Sequence, residues 1–339
     1  MKKMITAILC LSLMTSVFAA GCGKDDSSKE SSSQSSSQAE SSSSAADESS
    51  KAETEAEAAV EEEEEDTGDA SLDNIRNQDN IGDKELLVVS FGTSFNDSRR
   101  LTIGAIEDTL EKAFPDMAVR RGFTSNIIID HVKDRDGITI DDVDAALKRA
   151  VDNGVKELVV QPTHLMNGIE YNELIDKVGK YADAFESVKF GKPLLSSDDD
   201  FARVEKAITD WTKEYDDGET AICFMGHGTE ADSNSVYQKM QDLLTKDGFK
   251  NYFVGTVEAE PSIDDLLAAV KKGGYKRVVL EPLMVVAGDH ANNDMAGDEE
   301  DSWKSKFEAE GLKVECLLRG LGENEEIRQI YAEHAKAAE

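Results

Sequence analysis

The sequence predicts an α/β fold of two similar doubly wound, flavodoxin-like domains. Each is a parallel four-stranded sheet, and a cleft lies between them. Three observations carry this expectation. From about residue 84, short β-branched apolar runs alternate strictly with amphipathic helical stretches, the pattern of parallel sheets covered on both faces. The two halves of that region resemble each other: LVVSFGTS (87–94) aligns with AICFMGHGT (221–229), and LVVQPTHLMNGIEY (158–171) aligns with VVLEPLMVVAGDHA (278–291). In the second pair Pro162 and Gly168 are spaced as Pro282 and Gly288 are, which brings Glu170 close to the position of His290. Finally, chemistry-bearing residues fall just after the strands, where open α/β sheets bind ligands.

The segments before residue 84 are of another kind. Residues 1–21 have two lysines, a short apolar core and small residues, which reads as a secretory signal too short to span a membrane. Ala19-Ala20-Gly21-Cys22 looks like a bacterial lipobox with Cys22 as the lipidated residue. That predicts export and a lipid anchor on the outer face of the cytoplasmic membrane, or on the periplasmic side of an envelope membrane. Residues 22–83, rich in Ser, Ala, Gln and Glu, read as a disordered acidic tether. Of the net charge of −33, residues 23–83 account for −15 and the two leader lysines for +2, which leaves −20 for residues 84–339. A surface that acidic excludes nucleic acid and offers anionic membranes nothing beyond the lipid anchor.

In the folded part, strands are expected at 86–91, 118–123, 157–161, 187–191, 221–225, 252–256, 277–286 and 314–318. Helices are expected at 98–113, 140–153, 171–185, 199–214, 235–247, 261–272, 301–310 and 323–338, the last packing back across the molecule. The halves divide as 84–195 and 196–339, each with strand order 2-1-3-4. That order separates the strands of Cys223 and Cys316 by a third, which argues against a disulfide between them. Cys10 leaves with the signal, and no cysteine spacing suits zinc.

His227 lies in Met-Gly-His-Gly directly after a core strand, and the flanking glycines allow a sharp turn. His290 follows the third strand of the same half, four residues beyond the apolar run. Glu258 leaves the second strand just before Pro261. In a doubly wound sheet these three exits meet at one edge, and two imidazoles with a carboxylate suit a divalent first-row metal with open positions. Each residue taken alone reads equally well as a capping group. His164 follows a strand of the other half and is expected to face the cleft, whereas His131 and His334 read as helical surface residues. The Gly92-Thr93-Ser94 turn is a weaker candidate for anion binding.

The segments LLVVSFGTSFNDSR, RRGFTSNIII, RDGI, HLMNGIEY, PLLSS, FMGHGT, VGTVEAEP, PLMVVAGDHANNDMAGDEEDSWK and GLGENEEIR follow in this order. Together they resemble the sirohydrochlorin cobaltochelatases of the anaerobic cobalamin pathway, over about residues 85–331. The resemblance implies metal ligation by the histidine of MGHG, the glutamate of the VE motif and the histidine of GDHA, here His227, Glu258 and His290. It implies insertion of Co2+ (Fe2+ and Ni2+ are the alternatives) into a tetrapyrrole with release of two protons; because imidazole has a pKa close to ambient pH, His227 is the favoured proton acceptor. No organic cofactor is expected, and a homo-oligomer is compatible with the sequence. Carboxylates on the ring call for partners such as Arg120, Arg121, Arg135, His164 and the Gly92–Ser94 turn. Export departs from a cytoplasmic biosynthetic enzyme. The competing readings are therefore an extracytoplasmic metal or haem carrier, with His164 as axial ligand, and a displayed domain that binds nothing.

Overall fold

The computed structural model describes residues 67–338. The expected signal, Cys22 and the tether up to residue 66 lie outside the described residues. Strands β1 (Lys84–Ser90), β2 (Ala118–Phe123), β3 (Glu157–Pro162) and β4 (Ser187–Phe190) form one sheet in the order β2-β1-β3-β4. Strands β5 (Thr220–Gly226), β6 (Tyr252–Thr256), β7 (Arg277–Pro282) and β8 (Lys313–Cys316) form the second in the order β6-β5-β7-β8. Every pairing is parallel, as the alternating pattern requires. Both sheets are covered on both faces, which is why β1 and β5 read as continuous apolar runs. Cys223 on β5 and Cys316 on β8 flank β7 and are free thiols.

One apolar core is shared by the two halves. It gathers Val88 and Val159 from the first sheet with Ile222, Phe224 and Val279 from the second. Helix Asp198–Trp211 adds Phe201, Val204 and Ile208, and the last helix, Glu325–Ala338, adds Ile327, Ile330 and Tyr331. Smaller clusters cover the other faces of each sheet. The last helix packs against β3 and the helix Ala105–Ala113, and the Tyr331 hydroxyl donates to the Thr163 carbonyl at 2.7 Å. Among the described residues no helix is long and apolar enough to cross a membrane.

Two expected boundaries move. The strand foreseen at 277–286 stops at Pro282, which lacks the N–H that would continue the ladder. Met284 and Val285 instead accept from the backbone of Leu321 and Gly322, so Val285 and Val286 imitate a strand without pairing as one. His290 consequently sits eight residues beyond the sheet, at a helix start. Residues 67–83 do not belong to the expected tether. Residues 67–83 pack on the first half, where Asp73 and Arg76 enter a buried ion-pair network with Arg99, Glu107 and Arg121. Composition hid this because the segment is held by charge complementarity rather than by apolar burial.

The halves touch beside the cleft. The Ala287 N–H donates to Ser98 Oγ at 3.0 Å, and a side chain at Gly320 or Gly322 would run into Thr102 at 2.8 Å. Thr102 lies in a π-helical turn, Arg100–Gly104, so a locally widened helix of the first half meets the backbone of the second there.

Candidate metal centre

The second sheet delivers three loops to one edge. β5 ends in Gly226-His227-Gly228, and both glycines are required. A Cβ at Gly226 would lie 2.1 Å from the Tyr237 ring, while Gly228 has φ +92° and faces the Ala259 backbone at 2.8 Å. The exit of β6 is tied to this turn, because Val257 N–H donates to the Gly226 carbonyl at 3.0 Å and Glu258 N–H to the His227 carbonyl at 2.9 Å. His290 starts a helical segment that continues as the π-helical turn Ala291–Met295, pinned by fully buried Ala291 and Met295.

These loops bring one ligand atom each of His227, Glu258 and His290 within 4.8 Å of one another. The two imidazoles meet edge to face, with centroids 4.6 Å apart. His227 Nδ1 lies 2.9 Å from the Gly228 carbonyl and 3.4 Å from Glu258 Oε2. His290 Nδ1 lies 2.7 Å from Asp294 Oδ2. These partners place the proton on Nδ1 of each ring and leave Nε2 as the free lone pair. The three side chains keep 47, 39 and 31 % of their surface, which suits a site whose ligands must exchange. Burial pulls the His290 pKa down, but Asp294, Glu258 and Asp289 outweigh it and hold the ring above the usual imidazole value.

Across the cleft stands Glu170, in the first turn of helix Ile169–Tyr181. The residue keeps exposed surface, yet surrounding protein dehydrates its carboxylate and raises its pKa. His227 opposes that rise, and Glu173 and Glu258 add to it, so Glu170 lies within electrostatic reach of the metal-facing groups. The internal repeat puts Glu170 close to the position of His290, the one sequence signal that pointed to it. The walls approach each other beside it, where a Cβ at Gly168 would lie 3.6 Å from Ser233 Oγ.

The other expected ligand-binding residues are engaged elsewhere. Arg121 is fully buried and doubly bidentate, to Glu107 at 2.8 and 2.8 Å and to Asp73 at 2.6 and 3.0 Å. No ring carboxylate can reach it. Arg120 is likewise buried, against Glu85 and Asp141, and Arg135 braces the Ser94 carbonyl at 2.6 Å. Gly92 turns at φ +114° against Phe123, and buried Thr93 accepts from Phe95 N–H with Gly288 beside it. Their turn is a packing element between the halves, and of its three residues only Ser94 is half-exposed. His164 is buried with neither ring nitrogen hydrogen-bonded, and burial pushes its pKa down to about 4. Its ring is closed off from solvent rather than open to the cleft as expected, and its backbone carbonyl accepts from Leu194 N–H at 3.0 Å and from the Tyr331 hydroxyl at 3.3 Å.

The family model for cobalt chelatase (CbiK) matches residues 84–339. The chain belongs to the cobalt chelatase family. A sirohydrochlorin cobaltochelatase of Salmonella typhimurium is 38% identical over 255 residues, which are 75% of this chain and 96% of the relative. The sirohydrochlorin cobaltochelatase CbiKC of Nitratidesulfovibrio vulgaris is 32% identical over 272 residues, 79% of this chain and 95% of the relative. Among solved structures, SirB from Bacillus subtilis with Fe3+ superimposes with a TM-score of 0.54 at 14% identity, covering 76% of this chain and 95% of SirB. At that identity the likeness speaks for the chelatase fold alone, the same pair of parallel sheets that the family member shows here.

Proposed function

We propose that this chain is a sirohydrochlorin cobaltochelatase, which inserts Co2+ into a tetrapyrrole and releases two protons. The observation that carries the reading is the convergence of His227, Glu258 and His290 on one wall of a cleft, opposite Glu170, in a chain of the cobalt chelatase family. Insertion needs a site that holds the ion loosely beside the ring face and a base that removes two pyrrole protons. The two Nε2 lone pairs and the Glu258 carboxylate meet the first need, and Glu258 offsets metal charge. Glu170 meets the second, because its raised pKa brings a carboxylate closer to the working pH of a general base. His227, half-exposed and within electrostatic reach of Glu170, is the second acceptor once the ion has moved into the ring.

The test follows the absorbance change of sirohydrochlorin with Co2+, at catalytic amounts of protein, with Fe2+ and Ni2+ as competitors. Turnover well above the uncatalysed rate supports the reading. Tight binding of ion or ring without acceleration would replace it with a carrier. Within this scheme, Glu170→Gln is expected to lower the insertion rate about a hundred-fold while leaving Co2+ affinity unchanged. An insertion rate equal to wild type would show that the histidines alone collect the protons.

The proposal extends to location. A signal ending at Gly21, a diacylated Cys22 and an acidic tether to residue 66 would hold the chelatase domain on the outer face of a membrane. Metabolic labelling with palmitate should tag the chain and fail for Cys22→Ala, and an untagged wild type would refute the anchor.

A further inference from the structure

One ring nitrogen of His290, Nδ1, is already engaged, which leaves Nε2 as the nitrogen available to an ion. The partner of Nδ1 is the carboxylate of Asp294, whose Oδ2 lies 2.7 Å away. The two residues are four apart on the turn that begins at His290, which puts both side chains on one face. The turn itself is rigidly mounted. Ala291 and Met295 on either side of Asp294 are fully buried, Asn292 Nδ2 donates to the Gly288 carbonyl at 2.8 Å, and Asn293 Nδ2 donates to Asp289 at 2.8 Å. Asp294 therefore approaches the ring from a fixed platform.

We infer that Asp294 is a positioning residue for metal capture: by accepting the Nδ1–H of His290 it fixes the tautomer and aims Nε2 at the space shared with His227 and Glu258. The inference rests on the proposed metal site and adds the residue that orients it. His227 solves the same problem differently, since its Nδ1 lies 2.9 Å from the backbone carbonyl of Gly228. A carboxylate partner also makes its imidazole a stronger electron donor than a carbonyl does, so His290 becomes the firmer of the two nitrogen ligands. Asp289 stands beside the same ring, but its carboxylate accepts from Asn293 and is not the group on Nδ1.

The test measures Co2+ affinity of the full chain without tetrapyrrole, by competition with a chromophoric chelator. The proteins are wild type, Asp294→Ala, Asp294→Asn, His290→Ala and the His290→Ala/Asp294→Ala double variant, with melting curves alongside. Asp294→Ala should bind about 10- to 100-fold more weakly with an unchanged melting midpoint. Asp294→Asn, nearly isosteric and still able to accept from Nδ1–H, should recover part of the loss. In the His290→Ala background the Asp294 substitution should cost nothing further, because Asp294 acts through that ring. Wild-type affinity in Asp294→Ala, or an equal loss with and without His290, would overturn the inference while leaving the metal site standing. Wild-type affinity in His290→Ala would overturn the metal site and the inference with it.

Discussion

Replacing His227 or His290 with alanine is expected to weaken Co2+ binding by about a thousand-fold and to abolish cobalt insertion, while the fold should melt as before. The reasoning is that a three-donor site cannot lose one imidazole and keep a chelate, since Glu258 and a single ring leave the ion mostly to water. The stability side is small because both side chains remain partly in solvent, at 47 and 31 %. A pH dependence follows from the same geometry. Imidazole binds metal only when unprotonated. Burial pulls the His290 pKa down, but Asp294, with Glu258 and Asp289, outweighs it and holds the ring above the usual imidazole value. Co2+ affinity of the wild type should therefore fall as pH drops through that raised value, and this step should move to lower pH in Asp294→Ala. Titration with the chelator competition at several pH values reads both effects. Affinity that stays at wild-type level in either histidine variant would remove the basis for the whole site.

The fold was legible because its signals were redundant. Strand runs, helical periodicity and an internal repeat all pointed to two parallel sheets, and the order 2-1-3-4 then brought His227, Glu258 and His290 to one edge. What the sequence concealed was which polar residues are spoken for. Arg120 and Arg121 look like ligands for an anionic substrate, yet both are consumed by buried carboxylates that are distant in sequence, Glu85, Asp141, Glu107 and Asp73. No periodicity reports such a pairing. His164 is hidden for a related reason, since the tertiary packing that buries its ring leaves no trace in the local sequence. Val285 and Val286 were misread as strand because β-branched residues carry the same local preference whether or not a partner strand exists. Glu170 was the converse case, visible through the repeat and given its meaning only by the cleft.

Residues 67–83 give the second large effect: deleting them, or replacing Asp73 with alanine, should destabilise the domain by about 3–5 kcal/mol. Asp73 is almost wholly buried, and it accepts from Arg99 Nε at 2.7 Å and from both terminal nitrogens of Arg121. Without it two guanidinium groups with no exposed surface lose a counter-ion, and an unpaired buried charge costs far more than the pair contributed. A chain beginning at residue 84, where the family match begins, should thus melt on the order of 10 °C below one beginning at residue 67. Equal midpoints would show that solvent or Glu107 takes over the role. The pH dependence has a definite sign. Burial opposes ionisation of Asp73, but Arg121 and Arg99 prevail and hold its pKa below the usual value. The stability it contributes is therefore present above about pH 4 and is lost as pH falls through the lower folded value, a loss that Asp73→Asn should not show. The damage should also reach the cleft. Arg99 leads directly into the π-helical turn that meets Gly320 and Gly322, and Ser98 holds the Ala287 N–H three residues before His290. In the truncated chain Co2+ affinity should fall even at temperatures where the protein is folded, because Asp73 braces Arg99 and the turn that packs beside the loop of His290.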